Sequence, residues 1–131
     1  MRPNIYDKID KLIEILDGNV EGLKTVIDND FEAPLSEEYP VCWILPSRTP
    51  TIENVMRLST AEDIITIMVF DYVVEKKDIP EKRRNALTVF ERVMHGLSQV
   101  PYFPASPIEY IETVFGKNRV TGVKMLIKLN Q

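Results

Sequence analysis

The chain has 131 residues and a mass of 15.1 kDa, the size of one domain with a core large enough to stand without staples. It is 44% hydrophobic and 27% charged, with a net charge of −4 and a pI near 5.1. These are globular values that argue against extended disorder and lack the basic signature of a nucleic-acid binder. Cys42 and His95 are the only residues of their types, which excludes an internal disulfide, a cysteine-rich zinc site and most catalytic triads.

Apolar residues Ile5, Ile9, Leu12, Ile13 and Leu16 fall on one helical stripe, which predicts a first helix with Asn4 as N-cap and Gly18 as the left-handed stop. A short β-branched stretch at 22–28 reads as a strand. The acidic segment Asp28 to Pro40 reads as a loop. Asp28, Asp30 and Glu32 superficially match the start of a calcium loop, but its sixth position is Ala33 and its twelfth is Tyr39, so no calcium site is expected. Val41 to Leu45, apolar on both faces between Pro40 and Pro46, predicts a strand.

The stretch 46–62 contains Pro46 and Pro50, several Ser and Thr, and four apolar residues, Ile52, Val55, Met56 and Leu58. It reads as a long loop or arm. Long connections of this kind are uncommon and often functional. Those four residues are therefore candidate interface contacts; the alternative is that they fold back as a local cluster.

Asp63 to Glu75 is the strongest strand signal. Ile64, Thr66, Met68, Phe70, Tyr72 and Val74 share one face. Ile65, Ile67, Val69 and Val73 share the other, with Asp71 as the exception. Apolar character on both faces points to a covered strand. A second helix follows, with Asp78 and Glu81 spaced as a capping box, Pro80 in the first turn, and a stripe of Ala86, Leu87, Phe90, Val93, Met94 and Leu97. Pro101 to Pro107 reads as a loop, Ile108 to Phe115 as a strand, Gly116 to Arg119 as a turn, and Val120 to Asn130 as a half-buried strand. The fold class is thus α+β, in the order α-β-β-β-α-β-β. A mainly antiparallel sheet of about five strands is expected, with both helices on one face and the other face left open. An open apolar face of that kind asks for a partner, and symmetric homo-oligomers commonly supply it.

No catalytic, cofactor-binding or metal site emerges. There is no phosphate-binding glycine pattern. Cys42 lies in an apolar strand, where thiols are inert packing groups. Glu109 and Glu112 would point to opposite faces of their strand, a poor acid–base pair. Lys82, Arg83 and Arg84 form a basic run at the start of the second helix, against the helix dipole. They read either as a solvated face or as interface residues meeting an acidic neighbouring subunit or a phosphate. The chain is expected to be a non-enzyme made in a reducing cytoplasm, and no apolar run reaches the ~20 residues of a membrane span.

The ordered pattern resembles the tail terminator, or tail completion, proteins of long-tailed bacteriophages. The features that resemble that family are the helix Ile5–Leu16, the short strand Leu23–Ile27, the segment Tyr39-Pro40-Val41-Cys42-Trp43-Ile44-Leu45, and a long polar connection. They continue with the strand Asp63–Val74, in which Phe70 precedes Asp71, the helix Pro80–Leu97 and a closing hairpin ending in Val123–Leu129. The resemblance implies an α+β subunit of a hexameric ring. Such a ring sits on the last ring of the tail tube protein, stops its polymerisation and joins the head-neck connector proteins. DNA then passes through the lumen without sequence-specific binding. The expected location is the virion tail–neck junction, after assembly in the host cytoplasm. The resemblance transfers no individual functional residue. Two other readings remain open: another neck or tail component, such as a head-completion, connector or tube protein, and a small cytoplasmic adaptor unrelated to phage.

Overall fold

A computed structural model describes residues 5–28, 34–46 and 63–129. Helix α1 spans Ile5–Leu16, strand β1 Thr25–Ile27, β2 Val41–Pro46, β3 Asp63–Val73, helix α2 Ile79–Gly96, β4 Tyr102–Pro104, β5 Glu109–Phe115 and β6 Asn118–Leu129. The class is α+β, with six strands in one mixed sheet. The order is β1-β2-β3-β6-β4, and β5 also pairs with β6.

Two points of sheet topology differ from the sequence expectation. The β1–β2 pair is parallel, with Thr25 beside Val41 and Ile27 beside Trp43, so the sheet is mixed. A parallel pair needs a crossover of about a dozen residues, and the connection from Asp28 to Pro40 has that length. The second difference is β4, a short strand inside the proline-rich stretch 101–107. It pairs with β6 from Tyr102 opposite Leu129 to Pro104 opposite Ile127. Proline is tolerated there because this is a sheet edge.

Helix α1 buries Ile9, Leu12 and Leu16 and ends where Gly18 takes φ +73°. Its proposed N-cap, Asn4, lies outside the described residues. Helix α2 buries Ala86, Val89, Phe90 and Val93. The capping box expected from Asp78 and Glu81 does not form. A 3-10 turn over Lys76–Asp78 runs straight into α2, leaving Asp78 in helical backbone conformation with no side-chain cap. Both helices pack on one sheet face. There they meet Cys42 and Ile44 of β2, Ile65, Ile67 and Val69 of β3, and Val123, Met125, Ile127 and Leu129 of β6.

The second face is not bare, contrary to what the helix count implies. Tyr39, Val41, Trp43, Phe70 and Val120 are buried there, flanked by half-buried Leu45, Met68, Tyr72, Ile111 and Phe115. The Phe115 ring centre lies 4.8 Å from that of Trp43 and 5.2 Å from that of Phe70. In a flat sheet β5 would lie three strand spacings from β2, roughly 14 Å. The β5–β6 hairpin therefore bends over the sheet and closes part of this face with the chain's own aromatics. Gly122 lets β3 approach β6 closely beneath this face, because Phe70 lies directly on its backbone. A Cβ there would stand 2.0 Å from the Val69 carbonyl oxygen and 2.7 Å from Phe70 Cδ1. The segment 34–40 seals another flank, held by Thr25 Oγ1 donating to the Glu38 carbonyl at 2.9 Å and Asn118 Nδ2 donating to the Pro34 carbonyl at 2.8 Å.

Candidate assembly interface

The residues that could serve as a site are few. Ile52, Val55, Met56 and Leu58, the apolar interface candidates, lie outside the described residues, as do Asp30 and Glu32. Cys42 is fully buried, and that burial pushes its thiol up to about 12. His95 is exposed on α2. It borders a shallow depression with Asn19, Glu21 and Arg92, where Arg92 Nη1 donates to the Glu21 carbonyl at 3.1 Å. No group of three His, Cys, Asp or Glu side chains converges as a metal site among the described residues. No helix among them is long and apolar enough to cross a membrane.

The basic run at the start of α2 is divided by the fold. Lys82 approaches Asp71 at 4.0 Å. Asp71 is the charged residue that broke the apolar face of β3, and it is 5% exposed. Its carboxylate accepts hydrogen bonds from Asn85 Nδ2 and from the Tyr72 backbone N–H, both at 2.8 Å. Burial of a carboxylate is tolerable only with such partners, so Asp71 ties β3 to the first turns of α2. Arg83 reaches the opposite way. It donates to Glu112 on β5 and lies over the Tyr110 ring, 5.5 Å from its centre. Arg84 remains exposed. Two members of the run thus fasten α2 to the sheet, and Arg84 alone faces solvent.

Arg83 draws attention to the strand it holds. β4 and β5 lie in succession along one edge of β6. Ala105 continues the pairing through its N–H to the Leu126 carbonyl at 2.8 Å. The outer side of this compound edge strand has no strand partner among the described residues. It also displays large apolar groups: Phe103, Ile108, Tyr110 and Val114 are all exposed, Tyr110 by 58% and Val114 by 55%. An unpaired edge rich in apolar side chains is a template for another chain unless it is blunted. Blunting is uneven here. Pro101, Pro104 and Pro107 interrupt the first half, whereas β5 contains no proline. Its acidic residues, Glu109 and Glu112, are each drawn to a cation of the chain itself, Lys124 at 3.9 Å and Arg83.

Sequence reading placed β5 correctly but assigned it no role. The available signal was the alternation of Tyr110, Glu112 and Val114 on one face, beside three prolines that mark an edge. No family model matches this chain, and no curated protein matches it.

Proposed function

We propose that this chain is a structural virion protein of a long-tailed phage, a ring-forming subunit of the neck that caps the tail tube in the manner of a tail terminator. The observation that supports this most directly is the exposed apolar edge at β5. A strand edge fastened to α2 by Arg83 and paired along its inner side with β6 suits a protein whose work is done by its surface. A terminator needs one face complementary to the tube and another that no further tube subunit can join, a repeating contact that is capped and not propagated. The ring would number six copies and sit between the tube protein and the head-neck connector, with DNA passing through its lumen. The acidic balance of the chain is compatible with a conduit that does not retain phosphates.

The test is electron microscopy and native mass spectrometry of the full chain, alone and mixed with purified tail tubes. Six-fold rings seated at tube ends are expected. A chain that never forms rings, leaves tube growth unchanged and is missing from purified virions would refute the proposal.

A further inference from the structure

We infer that β5 joins a second copy of this chain, strand to antiparallel strand, about a two-fold axis through Glu112. The inference stands on the register of the β5–β6 hairpin and is independent of the phage reading. Phe115 and Asn118 flank the two-residue turn Gly116-Lys117, in which Gly116 has φ +61°. The pair flanking such a turn is hydrogen-bonded. Phe115, Thr113, Ile111 and Glu109 therefore direct their N–H and C=O groups to β6. The Ile111 carbonyl, which accepts from Thr121 Oγ1 at 3.4 Å, points that way. The backbone groups of Tyr110, Glu112 and Val114 point outward.

Those three residues are complementary to themselves. With Glu112 on the axis, Tyr110 of one copy opposes Val114 of the second, and the reverse pair repeats it. Every outward N–H and C=O of the three finds a partner. The two most exposed apolar residues of the strand then cover each other as aromatic–β-branched pairs, a favourable cross-strand combination. The two Glu112 carboxylates meet at the axis as a like-charge pair, and each is neutralised by its own Arg83, so the four charges sum to zero. Other registers do worse. An axis at Tyr110 pairs Glu112 with Ile108, which lies outside the strand. An axis at Val114 runs it into the turn, and an axis at Ile111 or Thr113 opposes groups that face β6.

This contact is closed: a copy held in it has no free β5 edge to pass on, so it cannot grow into a filament. Since a ring that caps a tail has two unlike faces, the two-fold pair belongs to the free chain and must open before β5 can take part in a ring.

The experiment combines sedimentation of the full chain over a range of concentrations with cysteine cross-linking. Wild type should show a concentration-dependent monomer–dimer equilibrium. Glu112→Cys should form a disulfide-linked dimer under mild oxidation, since residues facing each other in a hydrogen-bonded pair have Cα atoms about 5.5 Å apart, within disulfide reach. Thr113→Cys should cross-link at least about tenfold more slowly, lacking the effective concentration the pairing supplies. Val114→Pro removes an outward donor without touching the β6 ladder. It should abolish the dimer while circular dichroism and Trp43 fluorescence remain native. A chain that stays monomeric throughout, a dimer that survives Val114→Pro, or equal cross-linking of the two cysteine variants would each overturn the pairing. Six-fold rings without Glu112→Cys cross-linking would overturn it too, while leaving the terminator proposal standing.

Discussion

Gly122→Ala tests the close approach of β3 and β6 beneath the aromatic cluster of the second face. Gly122 lies opposite Phe70 in the central β3–β6 pair. A methyl group there would sit 2.0 Å from the Val69 carbonyl oxygen and 2.9 Å from Phe70 Cα. Ordinary contact distances start near 3.5 Å, so the first clash is about 1.5 Å too close. Both offending atoms belong to backbone and cannot swing aside. Either β3 and β6 separate locally, losing ladder hydrogen bonds with a net worth of about 0.5–1.5 kcal/mol each, or the strands distort at an overpacking cost of about 1–3 kcal/mol. The expected loss is about 1–3 kcal/mol, a substantial part of a total stability of about 5–15 kcal/mol. For a domain of this size that corresponds to a fall in Tm of roughly 3–12 °C. Urea denaturation followed by fluorescence is the natural assay. The chain has one tryptophan, and its ring lies 5.7 Å from Phe70, so native emission should shift to the red if the aromatic cluster opens. A loss below about 1 kcal/mol with unchanged Trp43 emission would refute the need for glycine at this close approach.

Other expectations follow from the same contacts. Asp71→Ala should lower stability by about 2–3 kcal/mol in urea titrations, because two hydrogen bonds to a buried charge are lost and each is worth about 1.5–3 kcal/mol before Lys82 is released to solvent. Arg83→Ala should cost no more than about 1 kcal/mol globally, its partners being largely exposed, yet hydrogen exchange should quicken selectively across 109–118. Burial holds the Cys42 thiol at about 12 and the Tyr39 hydroxyl likewise at about 12. Above their ordinary values the unfolded chain releases protons that the folded chain keeps. Stability should therefore be insensitive to these groups below pH 9 and fall as pH rises from about 9 through about 12. The slope is about 1.4 kcal/mol per pH unit for each group, and Cys42→Val should make it shallower by one proton.

The elements with strong periodicity were legible. The α1 stripe, the two-faced β3 and the alternation of β6 each specify an element and its buried side without tertiary information. Direction was harder. Nothing in Thr25–Ile27 indicates that it runs parallel to β2; only the length of the Asp28–Pro40 connection bears on it. β4 was hidden because Pro101 and Pro104 argue against a strand anywhere except at an edge, and being an edge is a property of the whole sheet. The two apolar faces of β3 were read correctly, but what covers the second face was not. The covering comes from Tyr39 in the segment before β2 and from Ile111 and Phe115, far away in sequence and brought over by the bent β5–β6 hairpin. In the same way, Lys82-Arg83-Arg84 is visible as a charge run, while its division between Asp71, Glu112 and solvent depends on where β3 and β5 pass beneath α2.

The position of β6 governs the order in which the molecule can form. β3, β4 and β5 all hydrogen-bond to it, and it follows every one of them along the polypeptide. During translation β4 and β5 have no template until residues 118–129 emerge from the ribosome, and half of β3 waits with them. The β3–β6 and β4–β6 pairings must then form through contacts between distant parts of the chain, which makes for slow acquisition of the native state. Until that moment the apolar strands are the segments most in need of a chaperone.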